Sequence, residues 1–392
     1  MRKAPALVAL ALVAGCGGGS DPAPRPTETP GTPAERPEPD DQEQVRTLLD
    51  DRAAALEAGD VRAYAATAAG AQRRRDRVDA RRARRLRFRE VAFSADRVDV
   101  SGDRATARVS ATYTIAGVRG TFEVERRVRA RRTADGWRVS AVPGRRGLPP
   151  WEVDDFRERR TEHFIVLAPA DVPVEELVVA LEDGYATMSE LLSSGRLRRR
   201  YLVLVAAGAE QARALTVEIR GVETLAALAD ASVIQRGPAA RTDEVLSLRL
   251  MVVWEPFATL DAAGRRRVVT HELTHAALTG STSGRMPAWL SEGVALYVSR
   301  DQRVAPPGAD LAALSRPDSV GRLTGDAQAL AYDTSSAAAY AIADRFGTDR
   351  LLDLYEAFND PDLRGRPGPR LVNRALRREL GITLDELTAS LS

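Results

Sequence analysis

The sequence predicts an α+β chain of two folded domains, the second with a mainly helical C-terminal half. Three observations predict it. At 392 residues the chain is long enough for two cores. Helical periodicity and period-two alternation occur in separate blocks. A Pro/Gly-rich break, "PGRRGLPP" at residues 143–150, divides an early helix-then-strand block from a later block that ends in helices. With 44% hydrophobic and 29% charged residues, most of the chain is expected to be globular. A formal net charge of +2 gives no overall pull toward acidic partners. Lys3 is the only lysine, so the basic residues are nearly all arginine, a compositional bias rather than a chemical signal.

The N-terminus reads "MRK", then the apolar run "APALVALALVA", then "VAGC" at residues 13–16. A short basic stretch before an apolar run too short to span a bilayer is the pattern of a signal peptide. The ending resembles a bacterial lipobox. That resemblance implies removal of residues 1–15, lipidation of Cys16 and anchoring at the extracytoplasmic face of the cell membrane. Cys16 is the only cysteine, which excludes an intrachain disulfide. Residues 16–43 are rich in Gly, Pro and acid and cannot bury enough surface to fold. They are expected to form a tether whose full stretch approaches roughly 80 Å at about 3 Å per residue.

The first domain is expected over residues 44–146. Val45, Leu48, Leu49 and Leu56 mark one face of a helix, Gly59 ends it, and Asp60 can cap a short second helix containing Tyr64. In "ATARVSATYTIAG" Ala105, Ala107, Val109, Ala111, Tyr113 and Ile115 alternate with polar residues, as a half-buried strand requires. "TFEVERRVRA" repeats the alternation, Asp135-Gly136 is a hairpin turn, and "WRVSAV" returns. A helical opening followed by an antiparallel meander resembles NTF2-like domains, many of which bind or scaffold. Between helices and strands, residues 73–90 carry ten arginines and one aromatic, Phe88. Stacking on single-stranded nucleic acid needs more aromatics, so no nucleic acid is expected. The run reads as a solvated helix face, with contact to anionic lipid or wall polymer through residues 73–89 as the other reading.

The second domain is expected over residues 147–392. "EHFIVLAP" and "RYLVLVA" read as strands flanking a helix at residues 173–193, and residues 246–256 as a further strand. From Asp261 onward the chain reads as helical. In "VVTHELTHAALTG", residues 268–280, two of the three histidines of the chain stand four apart. On a helix capped by Asp261 and stopped at Gly280, His271 and His275 share one face and can reach a single ion. Glu272 lies beside them as a candidate general base. A catalytic site needs a third protein ligand and an open position. His163 and a carboxylate are the alternatives. In "MPAWLSEGVALYV" Pro287 can start a helix after a short loop, which would pack antiparallel to the first and bring Glu292 to the imidazoles. Trp289, Leu290, Val294 and Leu296 would be its buried side, and Gly293 would let the paired helices approach.

"HELTH" followed seventeen residues after His275 by Glu292 in "WLSEG" resembles the gluzincin metallopeptidases, of the peptidase-MA-like type, over about residues 150–392. The resemblance implies one catalytic zinc on His271, His275 and Glu292. It also implies that Glu272 is the base for an attacking water, that a peptide or protein is the substrate, and that Tyr332, expected just before a helix, stabilises the oxyanion. Two departures stand out. Leu296 replaces the acid that resembling enzymes place one turn after the glutamate ligand. The motif that resembling aminopeptidases use to hold a free α-amine is absent, which favours endopeptidase action. The alternative is a catalytically silent, surface-tethered binding or scaffold lipoprotein.

Overall fold

The structure is a computed structural model, and it describes residues 11–14, 40–216, 225–235 and 242–391. It is a mixed α+β chain of two compact units, residues 15–116 with 121–154, and residues 1–14, 117–120 and 155–392. Within the expected signal segment a short strand, β1 (Ala11–Ala14), pairs in parallel with Ala227–Gln235. Cys16 and the expected tether through residue 39 lie outside the described residues. Among the described residues no helix is long and apolar enough to cross a membrane.

The smaller unit opens with α1 (Asp41–Glu57), whose Asp40 cap accepts from the Glu43 N–H at 2.8 Å. Gly59, at φ +67°, takes the left-handed conformation that turns the chain out of α1. Asp60 then caps α2 (Val61–Ala66), accepting from the Arg62 and Ala63 N–H groups at 2.9 Å each. The first part of the arginine run forms α3 (Gly70–Ala83). Four strands follow in a meander, β2 (Phe88–Ser101), β3 (Arg104–Ile115), β4 (Phe122–Thr133) and β5 (Gly136–Ala141), each antiparallel to the next. Alternate residues of β3 and β4 are buried, as the sequence pattern requires. Val45, Leu49, Val109, Val128, Trp137 and Val139 form the core between sheet and helices. A short helix, α4 (Pro150–Val153), lays Trp151 against Phe88 and Tyr113.

The larger unit begins with β6 (Phe156–Arg160), antiparallel to β7 (Phe164–Pro169). A crossover through α5 (Glu175–Leu191) leads to β8 (Tyr201–Ala206), parallel to β7. Every residue of β7 and β8 is buried, which is why both read as unbroken apolar runs. After α6 (Ala209–Leu215), β9 (Ala227–Gln235) pairs antiparallel with β10 (Thr242–Val253), giving the order β1-β9-β10-β8-β7-β6. The rest is helical: α7 (Trp254–Ala258), α8 (Ala262–Leu278), α9 (Ala288–Val298), α10 (Gly325–Phe346), α11 (Thr348–Ala357), α12 (Pro369–Leu380) and α13 (Leu384–Ala389). One continuous core joins the sheet to these helices, with Leu273, Trp289, Val294 and Ala339 at its centre.

Candidate metal centre

Helix α8 starts where the Asp261 carboxylate accepts the Gly264 N–H at 2.7 Å. Its second half is enclosed all round, with every residue from Val269 to Ala276 buried. On one side α5 approaches at Gly184, where an added Cβ would lie 2.8 Å from Thr270 Oγ1. On another, the Ala229 N–H of β9 donates to Glu272 Oε2 at 2.6 Å.

The connection from α8 to α9 is clamped from below. The buried Arg285 guanidinium donates to the carbonyls of Phe358 (2.8 Å), Asp360 (2.9 Å) and Leu363, at and beyond the end of α11. Ser283 Oγ adds a bond to the Phe358 carbonyl at 2.9 Å, and Thr282 Oγ1 lies 2.7 Å from the Tyr355 hydroxyl. Pro287 is the residue before α9 rather than its first turn, and Glu292 is the fifth residue of that helix. Gly293 does serve close approach, but to α10. A Cβ there would lie 2.5 Å from the Ser335 carbonyl oxygen.

These elements bring His271, His275 and Glu292 together. The two Nε2 atoms are 3.0 Å apart, and Glu292 Oε2 lies 3.3 Å from one and 3.4 Å from the other. Ligand atoms about 2.0–2.2 Å from a tetrahedral ion stand roughly 3.3–3.5 Å from one another. The observed triangle has nearly those sides. Glu292 Oε2 is buried and accepts no hydrogen bond in spite of its two nitrogen neighbours. Three electron-rich atoms facing one point repel each other unless a cation or proton lies among them. The donor set, two imidazoles and one carboxylate, suits zinc. The residues present therefore fit a metal ion, and among the described residues this is the one cluster of three such groups.

The electrostatics follow from burial and mutual contact. Burial alone would raise the Glu292 carboxyl, but the charge of His275 first, and the close approach of both imidazoles, outweigh it and hold it at about 2. Burial lowers His271, whereas for His275 the Glu292 carboxylate overcomes burial and raises it. Glu272, fully buried, is pushed up to about 8, by burial first and by Glu292 as well, against the pull of His275 and the Ala229 N–H. Its Oε1 has no partner.

Tyr332 lies near the centre, with its ring centroid 6.3 Å from that of His271. It is a buried residue inside α10, not before it. Burial raises its hydroxyl pKa well above the usual tyrosine value, with Glu292 and Glu272 adding to the shift. His163 is elsewhere: its Nδ1 meets Glu182 Oε2 at 2.7 Å and its ring stacks on Tyr185 at 3.8 Å. Leu296 is buried in the apolar core.

Two contributors escape sequence reading. One is the Ala229 N–H, a backbone group with no sequence signature beyond a weak alternation in "ALADASV". The other is Arg303, whose guanidinium carbon sits 5.8 Å from the Tyr332 ring centroid. Asp301 (2.6 Å) and Asp333 (3.5 Å) hold that guanidinium, and the Arg303 N–H donates to Ser336 Oγ at 3.0 Å. The acid–Arg spacing "DQR" becomes a usable signal only once α10 is known to face it.

No protein-family model and no curated protein matches the sequence. Among solved structures, the chain is similar at 16% identity and TM-score 0.31 to a mutant of an M1 zinc metallopeptidase from Deinococcus radiodurans, over 74% of this chain and 60% of that one. It is also similar at 20% identity and TM-score 0.24 to a protein of unknown function from Mycobacterium tuberculosis, over 26% of this chain and 68% of that one. At such scores neither likeness bears on function, and the chemistry of the site rests on its own geometry.

Proposed function

We propose that the chain is a zinc-dependent metallopeptidase of gluzincin type, acting as an endopeptidase on peptide or protein substrates. In this reading it is held at the extracytoplasmic face of the cell membrane by lipid on Cys16, with the smaller unit as an NTF2-like domain. The observation that carries the activity is the triangle of His271, His275 and Glu292 atoms beside a buried glutamate with one free oxygen. The lipid anchor rests on the "VAGC" sequence alone.

His271, His275 and Glu292 would hold the ion, whose Lewis acidity would lower the pKa of water and polarise a peptide carbonyl. Glu272 Oε1 takes the proton of the attacking water, and the carboxyl then passes it to the leaving amine. The Ala229 N–H keeps Oε2 occupied, so the two oxygens of Glu272 have separate tasks. The Tyr332 hydroxyl, kept protonated by burial, is a donor for the developing oxyanion.

Metal analysis of the full chain purified in detergent tests the reading. One zinc per chain is expected, lost in Glu292→Ala, together with zinc-dependent cleavage of an unstructured protein. A chain that binds no metal tightly ends it. Cys16→Ala should move the protein from the membrane to the soluble fraction.

A further inference from the structure

The arginine run is not a uniformly solvated face. Arg77, Arg81 and Arg84 stand at i, i+4 and i+7 on α3 and so share one side of the helix. Arg84 closes α3 at its C-terminal end, and Arg62 comes across from α2. Together with Gly59 and Asp60 they line a cleft of about 620 Å³. The Asp60 carboxylate is engaged in capping α2. Among the described residues none of the four guanidinium groups has a carboxylate at ion-pair distance. Other arginines of the same unit do: Arg52 pairs with Asp76 at 2.5 Å, Arg126 with Glu152 at 2.7 Å and Arg82 with Asp154 at 3.9 Å.

Like charges at i, i+4 spacing destabilise a helix, so the cluster has a cost that an external anion would offset. Gly59 contributes to its shape. A Cβ on Gly59 would lie 3.0 Å from Arg84 Cγ, so the arginine stem rests on the turn and its head belongs to the cleft. Planar guanidinium forks match phosphate oxygens two at a time, and several forks around one concavity suit a group with more than one negative charge.

We propose that this cleft binds a phosphate-bearing anion of the phosphomonoester or pyrophosphate class, through Arg62, Arg77, Arg81 and Arg84. The same chemistry is offered by a lipid headgroup and by a soluble phosphate.

The test uses full-length protein carrying Cys16→Ala, stripped of metal with a chelator so that the metal centre cannot take the probe. Titration calorimetry with pyrophosphate should show saturable binding at one site. Arg77→Gln with Arg81→Gln should weaken it by about tenfold for each charge-assisted hydrogen bond removed. A control, Arg127→Gln with Arg129→Gln and Arg131→Gln, removes as much charge or more from exposed positions of β4 and should leave it unchanged. Unaltered thermal melting confirms that the exposed substitutions leave the fold intact. The absence of saturable binding, or equal weakening in cleft and control variants, overturns the proposal. Sedimentation with phosphatidylcholine vesicles, with and without phosphatidic acid, whose headgroup is a phosphomonoester, separates the sources. Cleft-dependent binding to the anionic vesicles, displaced by pyrophosphate, assigns a lipid headgroup. Cleft-dependent pyrophosphate binding without vesicle binding assigns a soluble phosphate.

Discussion

The Ala229 N–H donates to Glu272 Oε2 across 2.6 Å, from β9 to α8, and so decides which carboxylate oxygen is left free. Oε1 has no protein partner and is buried. Glu272→Gln keeps an acceptor for Ala229 and nearly the same volume, but cannot take a proton. Hydrolysis should fall by about 10²- to 10⁴-fold, while metal content stays at the wild-type level. Peptide-cleavage kinetics and elemental analysis on the same preparation check both halves. Retained activity would show that Glu272 is not the base.

Gly293 and Ser335 set how closely α9 lies on α10. A Cβ at residue 293 would meet the Ser335 carbonyl oxygen at 2.5 Å and Ala339 Cβ at 3.1 Å. A backbone oxygen cannot swing aside, so Gly293→Ala must push the helices apart, and Glu292 is the adjacent residue. Stability should drop by about 1–3 kcal/mol and metal affinity should fall with it. Gly280→Ala, where nothing lies within 4 Å, is the matched control and should change little. Urea unfolding of both variants, with metal titration, distinguishes a local shift from a general glycine effect.

Arg285 ties the α8–α9 connection to the end of α11 through three carbonyls. Arg285→Met fills the space but removes the shared donor: Phe358 keeps Ser283 Oγ and Asp360 keeps the Leu363 N–H, whereas the Leu363 carbonyl loses its partner. A drop of about 2–4 kcal/mol is expected, from the charge-assisted bonds removed and the one carbonyl left unsatisfied. Arg285→Lys should recover only part of it, since an ammonium lacks the planar fork. Equal stability of Met and wild-type chains would show the clamp to be incidental.

The parts of the site that are legible in the sequence are those set by local spacing. Four residues separate His271 from His275, and one helical turn does the rest. Glu292 is within reach because the connection between the two helices is short. The apolar runs of β7 and β8 declare themselves because both faces are covered. What sequence does not show depends on partners far along the chain. β9 is alanine-rich, a composition with weak strand preference, yet it supplies the Ala229 N–H. Gly293 serves α10 rather than α8, because α10 lies beyond a stretch of irregular chain and its approach leaves no periodic trace. Tyr332 falls inside its helix rather than before it. That helix starts at Gly325, through "GDAQALAYD", whose small and polar residues blur the start signal. Strand β2 is hidden for another reason: it starts at the end of the arginine run, and two register shifts break its alternation.

Asp79, in the smaller unit, should make stability fall as pH rises. The residue is 5% exposed, and its carboxyl is pushed up to about 7, by burial first, then by Glu152 and Asp76, with Arg82 and Arg75 opposing. Glu152 is paired with Arg126 through two bonds, at 3.1 Å and 2.7 Å, and Asp76 with Arg52. Between the ordinary aspartate pKa and about 7 the folded chain holds a proton that the unfolded chain has released. Stability is therefore fully present below about pH 4 and is lost progressively up to about pH 7, beyond which the deficit is constant. Asp79→Asn carries no such charge. Relative to wild type it should gain little at pH 4 and up to about 3–4 kcal/mol at pH 8. Denaturant melts of both chains at pH 4, 6 and 8 measure the difference. A gain that does not grow with pH would mean that Asp79 ionises in the fold as freely as it does in water.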